Sequence, residues 1–534
     1  MAYTSLTFLL FLLVTVIVYY IVPKKIQWVV LLAASYGFYL STGVPQVLYI
    51  LFTTLFTYGA GRLMQKLRDD NQAKINAMGE LTKDEKRQMK KAVTQKVHTV
   101  QVITVLVNLA VLAGVKFTKT IFQNVNELFA FFEWDASLPL VNILVPLGLS
   151  YYTFNCIGYL IDVGRGKHPA EKNIGKFALF TSFFPMIVQG PLCRYNDVGE
   201  QLQQPHKLEY NNLKYGAQLI LWGFFKKLVI ADRVKAIVLT MFHSQYSGYT
   251  GSHVLFAVLA YSFQIYGDFS GGTDICRGVA QMLGINLPEN FQRPFFATSM
   301  GDYWHRWHMS LGAWMREFVF YPVMLSKPVT RVSKFFRKRF GSHAGKIVPS
   351  VAAPFVVFFL IGIWHGITLQ RIINGLYHAT LISSSVALAP LFKKITEKLK
   401  INTQCFSFRL FQMLRTFFLL AISRIITQAA TLRIALRMIK RLFTSWSWDF
   451  ITGVDGSIYR LGVNQKNMSV LFFAIMALLV VGILQEKGVK IRESLSKQNL
   501  IFRWLMVLGL LVVVLVYGVY GPDYNASAFI YAGH

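Results

Sequence analysis

The chain is 534 residues long, 54% hydrophobic and only 15% charged, with 55 basic against 25 acidic residues and a net charge of +30. Soluble domains carry roughly 25% charged residues, so this composition, with a mean hydropathy of +0.43, excludes an ordinary soluble protein. Such positive charge would suggest nucleic-acid binding in a soluble chain, but here the basic residues gather in short loops between apolar runs. They report membrane topology, and no nucleic-acid partner is expected.

The first apolar run, Ser5–Val22, is followed directly by Pro23-Lys24-Lys25 without a small-residue cleavage site, and reads as a retained helix. Gln27–Leu40, Pro45–Ala60 and Val100–Lys116 come next, each approaching the roughly 20 residues that cross a bilayer. The polar stretch 62–98, with its run KDEKRQMKK, is expected as a helix on the membrane surface. Residues 1–140 thus form an N-terminal set of helices. Residues 141–380 differ: their apolar runs are broken by Pro, Gly and charge, as in VPLGLSYYTFN, FFPMIVQGPLCR, QIYGDFSGGTD and LPENFQRPFF. Irregular backbone survives at membrane depth only where protein or a water-filled cavity surrounds it. The middle is therefore expected to be a protein-lined core of short or re-entrant helices, walled off from lipid by the flanking ones. Residues 381–534 close the chain with spans at Ser469–Leu484 and Leu505–Tyr520. The whole is one all-α polytopic membrane domain, 1–534, with no inverted repeat.

Placing Lys24–Lys25, the 62–96 segment, RVSKFFRKR, KKITEKLK and EKGVKIR in the cytoplasm puts the N-terminus, the uncharged turn STGVPQ and the tail GPDYNASAFIYAGH outside. The basic loops also suit anionic membrane lipids. Cys156, Cys193, Cys276 and Cys405 have no C-x-x-C spacing, so they predict neither a disulfide framework nor a zinc or covalent haem site, and no metal is expected.

A charge at mid-bilayer costs about 2.5–3.5 kcal/mol on insertion scales. The middle nevertheless holds Gln264, Asp268, Asp274, Arg277, Asp302, His305, Arg306, His308, Arg316, Glu317, His365 and His378. Structural pairing, such as Asp268 with an arginine, is the plain account for any one charge. His305 and His308 are three apart and share a face if helical. His365 lies in GIWHG, where a neutral imidazole can take a proton from a hydroxyl near physiological pH. The absence of G-x-S-x-G and H-E-x-x-H disfavours a nucleophilic triad and a zinc peptidase. Haem ligation stays open on spacing alone.

These residues lie in motifs that resemble the membrane-bound O-acyltransferase superfamily, in its bacterial branch of alginate O-acetylation and D-alanyl-lipoteichoic-acid export proteins. In order, they are LVPLGLSYYTFNCIGYLIDVGRG, FFPMIVQGPLCRY, GFFKKLVIADRV, QIYGDFSGGTDICRGVAQMLGINLPENFQRPF, DYWHRWHMSLGAWMREFVFYP, GIWHG, NGLYH and the tail SAFIY. The resemblance implies a ring of spanning helices around a thinned core with a central tunnel. It makes His308 and His365 the catalytic pair, His365 as base on the acceptor hydroxyl and His308 polarising a thioester carbonyl, or the reverse. Asp302, Trp304, His305, Arg306, Trp307, Arg316 and Gln264 are the supporting residues, while Asp268 and Asp274 hold the core together. The chain departs from the family pattern at Arg371, Asn374 and Ser423, which bear on the tunnel lining.

The resemblance further implies transfer of an acyl group, acetyl in preference to D-alanyl, across the bacterial cytoplasmic membrane onto a surface polysaccharide. The donor would be acetyl-CoA or an acyl carrier thioester, with no bound cofactor. An exported SGNH-type esterase-like partner would complete the transfer. The rivals are D-alanylation of teichoic acid, a flippase for lipid-linked sugars and a non-catalytic scaffold.

Overall fold

The computed structural model describes residues 1–78, 81–141, 143–243, 249–454, 456–520 and 524. The expected exterior tail with its SAFIY motif lies outside the described residues, apart from Tyr524. The described chain is helical, with one isolated antiparallel bridge between Phe291 and Trp307. It divides into two compact units, Met1–Ile220 with Cys276–Pro288, and Leu221–Ile275 with Glu289–Tyr524.

The first unit opens with α1 (Leu6–Ile21), α2 (Gln27–Leu40), α3 (Val44–Ala77), α4 (Lys83–Phe131) and α5 (Leu149–Gly164). Ser5 starts α1 by accepting from the Phe8 N–H, and Thr82 with Glu85 forms a reciprocal capping box on α4. The polar segment 62–98 is not a separate surface helix. It consists of the facing ends of α3 and α4, which have 34 and 49 residues. At about 1.5 Å per residue such helices outrun a hydrocarbon core of about 30 Å, so their polar ends continue past it without a break. Tyr3, Phe8, Phe38 and Phe184 pack ring on ring in this unit's core.

The second unit holds the end of α6 (Tyr210–Phe224), the first part of α7 (Gly251–Met282), the short α8 (Met300–Arg306) and α9 (Met309–Met315), then α10 (Lys327–His365), α11 (Leu369–Ala387), α12 (Phe406–Gln428), α13 (Gln465–Glu486) and α14 (Leu500–Tyr517). Among the described residues six helices are long and apolar enough to cross a membrane: α3, α4, α10, α12, α13 and α14. α11 with Ala389–Lys398, bent by 56°, makes a seventh if counted as one span. The protein is a multi-pass membrane protein. Two of these spans, α10 and α12, were hidden in the sequence by basic residues: α10 begins in the run RVSKFFRKR, and α12 carries Arg409, Arg415 and Arg424.

Helices α6 and α7 approach at Gly223 and Gly271, where a Cβ on either glycine would come within 2.8 Å of the other's carbonyl oxygen. Such small residues let backbones touch in an apolar medium. The contact brings the π-helical turn Phe225–Ala231 against α7. There the acidic residues find cations, though not the arginine expected from sequence. Lys227, 1% exposed, bonds Asp268 at 2.6 Å and Asp232 at 2.8 Å. Lys226 bonds Asp274 at 2.7 Å and Ser270 at 2.9 Å. Removing one partner of a buried pair leaves an uncompensated charge. Lys227→Met, which strands two carboxylates, is expected to destabilise the protein by about 3–5 kcal/mol, read as a lower melting temperature in detergent. Lys227→Met with Asp268→Asn and Asp232→Asn should recover part of it.

Candidate active site

The site is built where the chain stops being helical. Ser299 caps α8 by accepting from the Asp302 N–H, and α8 ends at Arg306. His308 then takes φ 47°, ψ 51° before α9 begins. A left-handed conformation outside glycine costs of order 1–3 kcal/mol and persists only where its surroundings impose it. They do so here through Asn290–Gln292. The Gln292 N–H donates to the Arg306 carbonyl at 2.9 Å, and the Met309 N–H donates to the Asn290 carbonyl at 3.0 Å. Phe291 pairs with Trp307 and packs edge-on against its indole at 4.9 Å.

Asn290 also fixes the imidazole. Its side-chain Oδ1 accepts from the Ser310 N–H at 3.0 Å and lies 2.9 Å from the Ser310 hydroxyl. A backbone N–H can only donate, so the carbonyl end of this amide faces inward. His308 Nδ1, 3.3 Å from the same oxygen, must therefore be the protonated ring nitrogen. A neutral His308 then carries its lone pair on Nε2. The ring is 2% exposed and meets the edge of Phe269 at 4.7 Å.

His365 ends α10, and Gly366 follows at φ 150°, a value that suits glycine. The Trp364 ring lies 6.4 Å from His308 and 4.5 Å from its sequence neighbour His365. Residues 57 positions apart in the sequence thus share one indole as a neighbour.

The expected supporting residues divide. Trp307 stacks on Tyr303 at 5.6 Å and walls the His308 segment. Trp304 packs on Phe358 of α10 at 5.0 Å, tying the two histidine-bearing elements together. Asp302 and Arg306 pair with each other at 2.8 Å, and Arg306 continues to Glu486, which Arg293 also holds at 2.6 Å. These charges anchor α8 to the end of α13 and have each other as partners. His305 and Arg316 are exposed and bond one another at 2.9 Å, away from His308. Gln264 is buried in α7, and its Oε1 has no hydrogen-bond partner among the described residues.

Sequence reasoning missed Asn290, although the stretch NFQRPF held it in view. It also left the two unusual residues Asn374 and Ser423 unconnected. In the structure they meet. The Trp304 indole N–H donates to His378 Nδ1 at 3.3 Å, so a neutral His378 carries its proton on Nε2. That nitrogen lies 2.9 Å from the Ser423 hydroxyl, which in turn donates to Asn374 Oδ1 at 2.7 Å. The direction of the chain makes Ser423 an acceptor from His378, so this serine is not activated as a nucleophile.

Residues 166–423, which contain both histidines and this entire chain, match the model of the membrane-bound O-acyltransferase family. The chain carries a domain of that family, and it is an O-acyltransferase. It is 29% identical to the probable alginate O-acetylase of Pseudomonas aeruginosa over 487 residues, 91% of this chain and 82% of that protein. To the teichoic acid D-alanyltransferase of Bacillus subtilis it is 33% identical over 252 residues, 46% of this chain and 60% of that protein. To the peptidoglycan O-acetyltransferase of Helicobacter pylori it is 26% identical over 308 residues, 53% of this chain and 54% of that protein. A neutral His308 protonated on Nδ1 leaves Nε2 as the ring nitrogen that can accept a proton. Asn290→Ala frees the ring to choose its tautomer, and is expected to lower kcat about 10–100-fold, the scale seen when a functional histidine loses its orienting partner. KM should stay nearly constant in the same initial-rate assay.

Proposed function

We propose that this protein transfers an acetyl group from a cytoplasmic thioester, acetyl-CoA or an acyl carrier, across the bacterial cytoplasmic membrane for esterification of an exported polysaccharide. The observation that carries the reading is His308: a buried imidazole whose Nδ1 is held as a donor, near an indole that a second histidine also contacts. The similarity to alginate O-acetylases along 91% of the chain supports acetyl over D-alanyl, for which the similarity covers 46%. The distribution of basic loops supports an exterior N-terminus.

In this reading the acceptor hydroxyl gives its proton to His308 Nε2 while its oxygen bonds to the thioester carbonyl carbon. The carbon–sulfur bond then breaks, and the thiolate leaves with the proton from the imidazolium. His365, next to Trp364, polarises the carbonyl. The Asn290 bond thus supports the exchange of roles relative to the assignment with His365 as base. A positioned base contributes about 10²–10⁴-fold. The burial of His308 among aromatic rings strengthens its interaction and limits hydrolysis of the thioester. An exported SGNH-type partner completes delivery to the glycan.

The test is the ester content of surface polysaccharide in cells with wild type, His308→Ala or His365→Ala at matched membrane levels, with hydroxylamine-released acyl groups weighed by mass spectrometry. Wild type should add acetate, and each variant should lose ester by about 10²-fold or more. Released D-alanine would replace the acetyl reading with teichoic acid D-alanylation. Full ester content in both variants would favour a flippase or scaffold.

A further inference from the structure

Every cation described so far in the second unit's interior meets a carboxylate: Lys226, Lys227, Arg293 and Arg306. Arg424, near the end of α12, does not. It is 6% exposed, its Nη1 bonds the Ser262 hydroxyl at 2.5 Å, and its guanidinium lies over Phe417 at 5.5 Å. The Tyr261 and Tyr303 phenols lie beside it. These partners are neutral. Its Nη2 has no hydrogen-bond partner, and no carboxylate lies within ion-pair distance, among the described residues. Asp268 also acts on Tyr261, but it is already bound to Lys227.

An arginine cannot shed its proton. A buried, permanent charge without a counter-charge is costly, and removing it should stabilise the fold. Its neighbours are those of the active site. Tyr303 stacks on Trp307, the residue before His308. Ser423, the preceding residue, closes the hydrogen-bonded chain to His378 and Trp304. We propose that Arg424 holds the anion of the reaction: the carbonyl oxygen of the thioester as it gains negative charge. This rests on the acyl-transfer reading above. As the hydroxyl oxygen bonds to the carbonyl carbon, the C=O electron pair moves onto oxygen and meets the guanidinium. The pair returns when the carbon–sulfur bond breaks. The charge is thus matched only in the transition state, where it does most for the rate.

The experiment compares wild type, Arg424→Gln and Arg424→Lys in isolated membranes, with labelled acetyl-CoA varied against the endogenous glycan, together with melting of the purified full-length proteins. Arg424→Gln is expected to lower kcat by about 10²–10³-fold, the range for losing one donor to an oxyanion. KM for acetyl-CoA should be unchanged and the melting temperature no lower than that of wild type. Arg424→Lys keeps the charge and should keep part of the rate. The proposal is overturned if Arg424→Gln melts lower yet keeps its kcat per folded molecule, or if KM rises at constant kcat. If wild type itself transfers no acetyl, the underlying reading falls and this proposal falls with it.

Discussion

Backbone in an apolar medium must close its own hydrogen bonds, and this protein's candidate site depends on one place where two non-helical stretches close each other's. Asn290–Gln292 bonds the carbonyl of Arg306 and the N–H of Met309, and that clamp holds His308 in a left-handed conformation it would not adopt alone. The break between α8 and α9 follows, and with it the exit of the His308 ring from any helical face. The same asparagine then sets which ring nitrogen holds the proton. Asn290 thus takes part in both the clamp and the choice of tautomer.

Around this clamp the polar groups fall into three kinds. The first is paired charge that joins helices: Lys227 with Asp268 and Asp232, and Arg306 with Asp302 and Glu486. The second is a directed chain, Trp304–His378–Ser423–Asn374, that ties α8 to α11 and α12 without charge. The third is the buried Arg424 cation, which meets no carboxylate among the described residues. Structural pairing accounts for the first two kinds.

Much of this was legible in the sequence. Apolar runs located four of the six long spans, and the broken middle marked where short helices occur. The motif residues His308 and His365 each have the Trp364 ring as a neighbour. What remained hidden had physical causes. Basic residues masked α10 and α12 as spans. The partner of Asp268 was assigned to an arginine because pairing across a helix contact at Gly223 and Gly271 leaves no local signal. Asn290 was invisible as a site residue because its role is to bond a segment 18 to 20 positions away. Conversely, His305 and Arg316 carried strong motif context yet are exposed and bond one another.

The most direct measurement uses the purified protein in sealed proteoliposomes, with labelled acetyl-CoA supplied on the face of the basic loops and acceptor glycan, with its exported partner, on the other. The account predicts labelled ester on the glycan, absent with His308→Ala, while the vesicles stay sealed. Ester formed equally well by His308→Ala would contradict it. So would glycan crossing the membrane without ester.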